Sequence, residues 1–251
     1  KLKNILFLFI ITIVDTTTKK YMNREWPDIN NLPWIYSQNA IIKDLTDSIL
    51  VCPTAINQLY NTAGEKNIKY FIKWMKLVID NIDQHYTIKH RYYFPKLQCP
   101  ICNELLAECK PIYTLLKKSK QHIKKLAIVR YTLEKNKESI HHHTTELYTD
   151  IQQLILLIKD NFRKERIKLL PKMIRDIKYA DIRAMDIKIG LRSKWYALPH
   201  LYRDVPKKVY QDHMDNILMI PTITQKTTIA LHFKRYNYEY RNIIEHLFPD
   251  I

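Results

Sequence analysis

Apolar residues recur at three- and four-residue spacing along most of the chain, and that period predicts helices. The clearest stripe runs through 65–85, where Ile68, Phe71, Ile72, Met75, Val78, Ile79 and Ile82 share one face. Ser37 suits the cap of a helix carrying Ile41, Ile42, Leu45 and Ile49, which is expected to stop before Pro53. Residues 54–60 then read as a short successor. Pro111 fits the first position of a long helix to about residue 135, with Leu115, Leu116, Ile123, Leu126 and Val129 facing inward. A polar break containing His141, His142 and His143 separates it from a helix over about 145–170. Pro171 opens another, in which Met173, Ile177, Ala180, Ala184 and Ile187 keep the spacing and Gly190 is a C-cap.

Three stretches break the pattern. Residues 86–99, rich in aromatic and β-branched side chains, look extended. Beyond 190 the prolines 199, 206 and 221 punctuate short pieces, with a strand expected over 227–233 and a last helix over 241–247. At the other end Ile5, Leu6, Phe7, Leu8, Phe9, Ile10, Ile11, Ile13 and Val14 form an apolar run half as long as the ~20 residues that cross a bilayer as a helix. Such a run needs burial: in its own core, on a second copy of the chain through an exchanged arm, or in a membrane surface. The expected fold is mainly α, a single helical domain of about six to eight helices with an apolar N-terminal arm and an irregular C-terminal extension. Its parts are the arm and a Pro/Trp-containing linker (1–36), a helical core (37–190) and the extension (191–251), and no internal repeat stands out.

Composition narrows the function. A chain of 251 residues has only two glycines, Gly64 and Gly190. Phosphate-cradling loops, dinucleotide fingerprints and nucleophile elbows need glycine where the backbone nears a ligand or takes positive φ. The expectation is therefore a protein that is not an enzyme, with no cofactor and no small-molecule substrate. The formal charge of +16 admits nucleic acid or an acidic surface as a partner. The basic run Lys117, Lys118, Lys120, Lys124, Lys125 and Arg130 is where phosphates would be tracked.

The sharpest local signal is Cys99-Pro-Ile-Cys102, with Cys109 after it. Two thiolates at that spacing can share a tetrahedral zinc, but a closed site needs four ligands and no second Cys-x-x-Cys follows. Disulfides are the competing use of Cys52, Cys99, Cys102 and Cys109, and four reduced core thiols are the third reading. On a continuous helix Cys102 and Cys109 stand about 10 Å apart, too far for one bridge, so Cys52 or another chain would supply a partner. The histidine tract invites a metal, but as a loop it is a solvated segment. In HFKRYNYEYR, Tyr236, Tyr238 and Tyr240 fall on one side of an extended chain with Arg235 and Arg241 opposite. That platform suits base stacking or a protein contact.

The segments KLKNILFLFIITIVDTTTKK, CPICNELLAEC and HFKRYNYEYR together give the character of a self-assembling protein. Over its full length the chain resembles the polyhedrins of nudiviruses, the occlusion-body proteins that crystallise around virions. It is unlike the glycine-containing, β-rich polyhedrins of baculoviruses, and no contact residue is carried over from either. The resemblance implies a viral structural protein whose partners are further copies of itself and virions as cargo. It implies an occlusion body in the infected cell's nucleus and a crystal lattice that dissolves in alkali. Deprotonating 30 lysines and ionising up to 17 tyrosines near pH 10 would drive that dissolution. A basic α-helical nucleic-acid-binding protein, and a membrane-attached protein anchored by residues 1–14, are the alternatives.

Overall fold

The computed structural model describes Trp26, Asp28, Asn30 and residues 32–61, 65–129, 136–190, 197–212, 214–215 and 225–247. The predicted arm lies outside these residues. Among them there are eight helices and no strand. Helix α1 is Pro33–Asn61. Helix α2 spans 65–97 as Glu65–Ile88, a π-helical turn Lys89–Tyr93 and Phe94–Leu97. Helix α3 is Pro100–Val129. Helix α4 spans 137–176 as Lys137–Lys164, a second π-helical turn Glu165–Leu169 and Leu170–Asp176. Then come α5 Tyr179–Gly190, α6 Ala197–Tyr202, α7 Lys207–Asp212 and α8 over 225–247, which opens with the π-helical turn Gln225–Ile229.

Helices α1 to α4 form an up-down-up-down bundle in which each packs on the next and α4 closes back on α1. Cross-contacts show the alternation: Ser37 meets His85 and Ser48 meets Trp74, so α1 and α2 run antiparallel. The stripe of α2 supplies the centre of the core, with Ile68, Phe71, Trp74, Met75, Val78, Ile79 and Ile82 fully buried. Burying a side chain of that size stabilises the fold by about 1.5–3 kcal/mol. Helix α8 lies on α2 and α6, and α6 on α1.

Four expectations change in the structure. Helix α1 runs through Pro53 and α3 through Pro111. A proline inside a helix costs about 3 kcal/mol. Val51 and Cys52, buried just before Pro53, and Cys109 and Ile112, buried on either side of Pro111, anchor the helices beside these breaks and offset the cost. Residues 86–97 are helical: Tyr86, Lys89, Tyr93 and Phe94 are the buried positions, and the π-helical turn inserts the extra residue that lets both Tyr93 and Phe94 face inward. The histidine tract is helical as well, since α4 begins at Lys137. The expected strand at 227–233 is the start of α8, and the described part of the C-terminal extension carries α6, α7 and α8 with a non-helical turn over 203–206.

Candidate functional site

The chain turns sharply between α2 and α3, and Cys99 sits on that turn. Gln98 takes φ 44° and ψ 40°, the one positive-φ residue other than glycine among the described residues. Its N–H donates to Phe94 O at 3.2 Å and closes α2. A left-handed glutamine is unfavourable, and such strain concentrates where a neighbouring side chain must be aimed. Cys99 O then accepts the N–H of Cys102 at 2.9 Å, which makes Cys99 the cap of a 30-residue helix.

The two Sγ atoms stand 2.7 Å apart at the end of that helix where the backbone dipole favours negative charge. Both cysteines are buried, at 6% and 3% exposed, but Gln98, Pro100 and Asn103 around them are open to solvent. Burial pushes the Cys102 thiol up to about 12, with the hydrogen bond to Cys99 adding to it. The floor is apolar and aromatic: Trp34, Ile35, Tyr93, Phe94, Leu105 and Tyr179 belong to the same cluster. Trp34 meets Tyr93 edge-on at 4.6 Å between ring centres.

Within the single chain all four cysteines are free thiols, and no two of them are bridged. Cys99 and Cys102 touch without being bridged. Cys52 is buried in the bundle, its thiol pushed up to about 12 by burial, and Cys109 is pushed up to about 11 chiefly by burial. Among the described residues no group of three or more His, Cys, Asp or Glu side chains is placed to hold a metal ion, so Cys99, Cys102 and Cys109 do not form a zinc site.

Behind the thiols lies a polar node that sequence reasoning missed. Lys89 and Glu165, 1% and 0% exposed at their side chains, form an ion pair in the middle of the bundle. Glu165 Oε2 also accepts the indole N–H of Trp34 at 3.0 Å and an amide N–H of Gln38 at 2.8 Å. Lys89 Nζ sits 4.0 Å from the Tyr86 ring centre, and Tyr86 donates its hydroxyl to Asn161 Oδ1 at 3.1 Å. Both charged residues begin a π-helical turn that ends one residue before a proline pair-mate: Lys89–Tyr93 precedes Phe94-Pro95, and Glu165–Leu169 precedes Leu170-Pro171. A proline ring clashes with the carbonyl four residues back, which widens the turn before it. The segments KHRYYFPKL and ERIKLLPKM match at this offset of 76 residues, and that was the available signal.

The expected tyrosine platform is folded the other way. On a helix Tyr236 and Tyr240 share one face, and both point inward: Tyr236 is 3% exposed and Tyr240 lies 5.4 Å from Trp74 between ring centres. They surround Arg203, which is itself ion-paired with the buried Asp44 at 2.6 Å. Burial raises both phenols, Tyr240 to about 12, against the pull of Arg203. Only Tyr238 of the three is exposed, and Arg235 and Arg241 pair with Glu239 and Glu245 on their own helix. The basic run of α3 is partly neutralised. Lys118 pairs with Glu146 and Asp150 and Lys120 with Asp83, whereas Lys117, Lys124 and Lys125 are exposed and Arg130 lies outside the described residues.

No family model, no curated protein and no solved structure matches the chain. Function rests on the geometry alone. Of the described helices none is long and apolar enough to cross a membrane.

Proposed function

We propose that the chain is a thiol–disulfide exchange protein whose working pair is Cys99 and Cys102. The observation that carries the reading is the juxtaposition of the two thiols at the first turn of a long helix, within reach of a bridge. In the exchange, Cys99 as thiolate attacks a partner disulfide, forming a mixed disulfide and releasing one partner thiolate. Cys102, which gives up its proton to solvent, then attacks Cys99 Sγ. This forms the Cys99–Cys102 bridge and expels the second partner thiolate. The chain loses two electrons and the partner disulfide gains them. Cys102 already lies against the Cys99 sulfur, so the second step is intramolecular, and that proximity offsets the scarcity of its thiolate form.

The test is thiol counting after equilibration in glutathione buffers of rising disulfide fraction. The native chain is expected to lose two alkylatable thiols together and to yield one peptide pair joined through Cys99 and Cys102. Cys102→Ser is expected to stop at a persistent glutathione adduct on Cys99. Four thiols still alkylating in the most oxidising buffer would reject the proposal.

Self-assembly, as the polyhedrin resemblance implies, is a second proposal, and the apolar run at 5–14 is the observation that favours it. Deleting residues 1–14 is expected to turn large sedimenting particles at pH 7 into small ones. Unchanged particle size would remove that reading. Alkaline dissolution would rest on lysines and exposed phenols such as Tyr238, because burial holds Tyr236 and Tyr240 protonated to higher pH.

A further inference from the structure

The histidines that the thiol chemistry leaves unused meet across two helices. His122 projects from α3 and His143 from the first turns of α4, and their Nδ1 atoms stand 3.2 Å apart. Two nitrogens bound to one metal at ~2.0–2.1 Å with tetrahedral angles stand about 3.3 Å apart. We propose that His122 and His143 form a two-imidazole chelate for a divalent transition metal of the zinc, nickel and copper class, with its remaining positions open to water or to further ligands. Imidazole is the donor this class prefers.

Three features support a site over a chance contact. Each donor is carried by a helix of 28 residues or more in the bundle, so the spacing of the pair is set by the packing of α3 on α4. Imidazole is ordinarily neutral above about pH 6.5, so each ring offers a lone pair near neutral pH. His142, exposed, has its ring centre 5.0 Å from that of His143 and 6.5 Å from that of His122, and can add a third donor by turning its side chain. The charges around the pair are mixed. Lys118 and Lys125 on α3 oppose a cation, and Glu146 and Asp150 on α4 favour one, with Lys118 itself tied to both carboxylates. Without metal, one Nδ1–H donates to the other Nδ1, and the metal replaces that proton.

Calorimetric titration of the full chain with nickel chloride at pH 7.5 tests the site. One equivalent is expected to bind, with affinity at least tenfold weaker in His122→Gln and in His143→Gln, and unchanged in His141→Gln. Below pH 6 binding is expected to fade as the imidazoles take up protons. His122 is half-exposed, so its variant reports on the site even if the one at buried His143 does not fold. Cys99→Ser/Cys102→Ser is expected to bind nickel as the native chain does, which separates this site from the thiols. Native affinity in His122→Gln, no binding to the native chain, or loss of binding in the double cysteine variant would each overturn the proposal.

Discussion

Replacing Lys89 with Met is expected to destabilise the chain by about 3–5 kcal/mol, the usual effect of leaving a buried charge without its partner. Glu165 would keep two neutral donors, the Trp34 indole and the Gln38 amide, but no cation. Those bonds offset part of the charge's desolvation and leave most of it standing. Glu165→Gln should be nearly as harmful, because Lys89 would keep only neutral partners, the new amide oxygen, Asn161 Oδ1 at 3.4 Å and the rings of Tyr86 and Phe162, with no counter-charge. The double variant Lys89→Met/Glu165→Leu removes both charges and is expected to recover most of the loss, since apolar groups of similar volume often replace a buried pair without penalty. Urea denaturation of the three variants measures this. A double variant no more stable than either single one, or single variants within about 1 kcal/mol of the native chain, would show that the pair is not buried as described.

That node also marks where sequence reading stops. The helices of the core were legible because Ile68, Phe71, Met75, Val78 and Ile82 repeat with a period no strand can share. The mainly α architecture followed from such stripes. Residues 86–94 defeated the method for a physical reason. Tyr86, Lys89, Tyr93 and Phe94 stand at i, i+3, i+7 and i+8, a helical spacing, but the aromatic and β-branched content of the stretch favours an extended chain locally and a lysine is not expected among the buried positions. Pro53 and Pro111 misled in the opposite sense, as local preference predicted helix ends where packing of the buried residues beside them holds the helix.

The candidate site was half legible. Cys99 and Cys102 stood out, and their spacing alone left zinc, disulfide and free thiol open. What decides among them is the turn at Gln98, which seats Cys99 as the cap of α3 and brings the sulfurs together. The tyrosine platform failed on a single assumption, the extended backbone. On a helix, Tyr236 and Tyr240 are four residues apart and share a face while Tyr238 points away, and the inward pair closes over Arg203. Glu165 could not be told from a surface carboxylate, because nothing local distinguishes it from Glu104 or Glu108. Its burial depends on Lys89, 76 residues earlier.

Acid is expected to weaken the fold between about pH 6.5 and 4, through two histidines that the bundle holds neutral. His85 is buried with Nδ1 at 2.7 Å from Ser37 Oγ, and burial, then Lys89, push its pKa well below the ordinary 6.5. His90 has Nδ1 at 2.6 Å from the Tyr113 hydroxyl, and burial followed by Lys89 pushes it down to about 4. The Nε2 atoms of both are enclosed without a hydrogen-bond partner, so a proton placed there finds no acceptor. A histidine whose folded pKa is depressed leaves stability intact above its unfolded value. As pH falls through that value the unfolded chain takes up protons first, and stability is lost until the folded pKa is reached. For His90 the loss amounts to about 2 kcal/mol once its partial exposure is discounted. Asp44 acts lower on the scale. Burial raises its pKa, but His200 and Arg203 outweigh that and hold it below the ordinary 3.8, so its contribution persists to more acid pH. His90→Gln is therefore expected to flatten the dependence of the urea midpoint on pH between 6.5 and 4, and His85→Gln/His90→Gln to remove most of it. Asp44→Asn should lower the midpoint at every pH in that range without changing the slope. A double histidine variant with the native slope would place the acid sensitivity in the carboxylates instead.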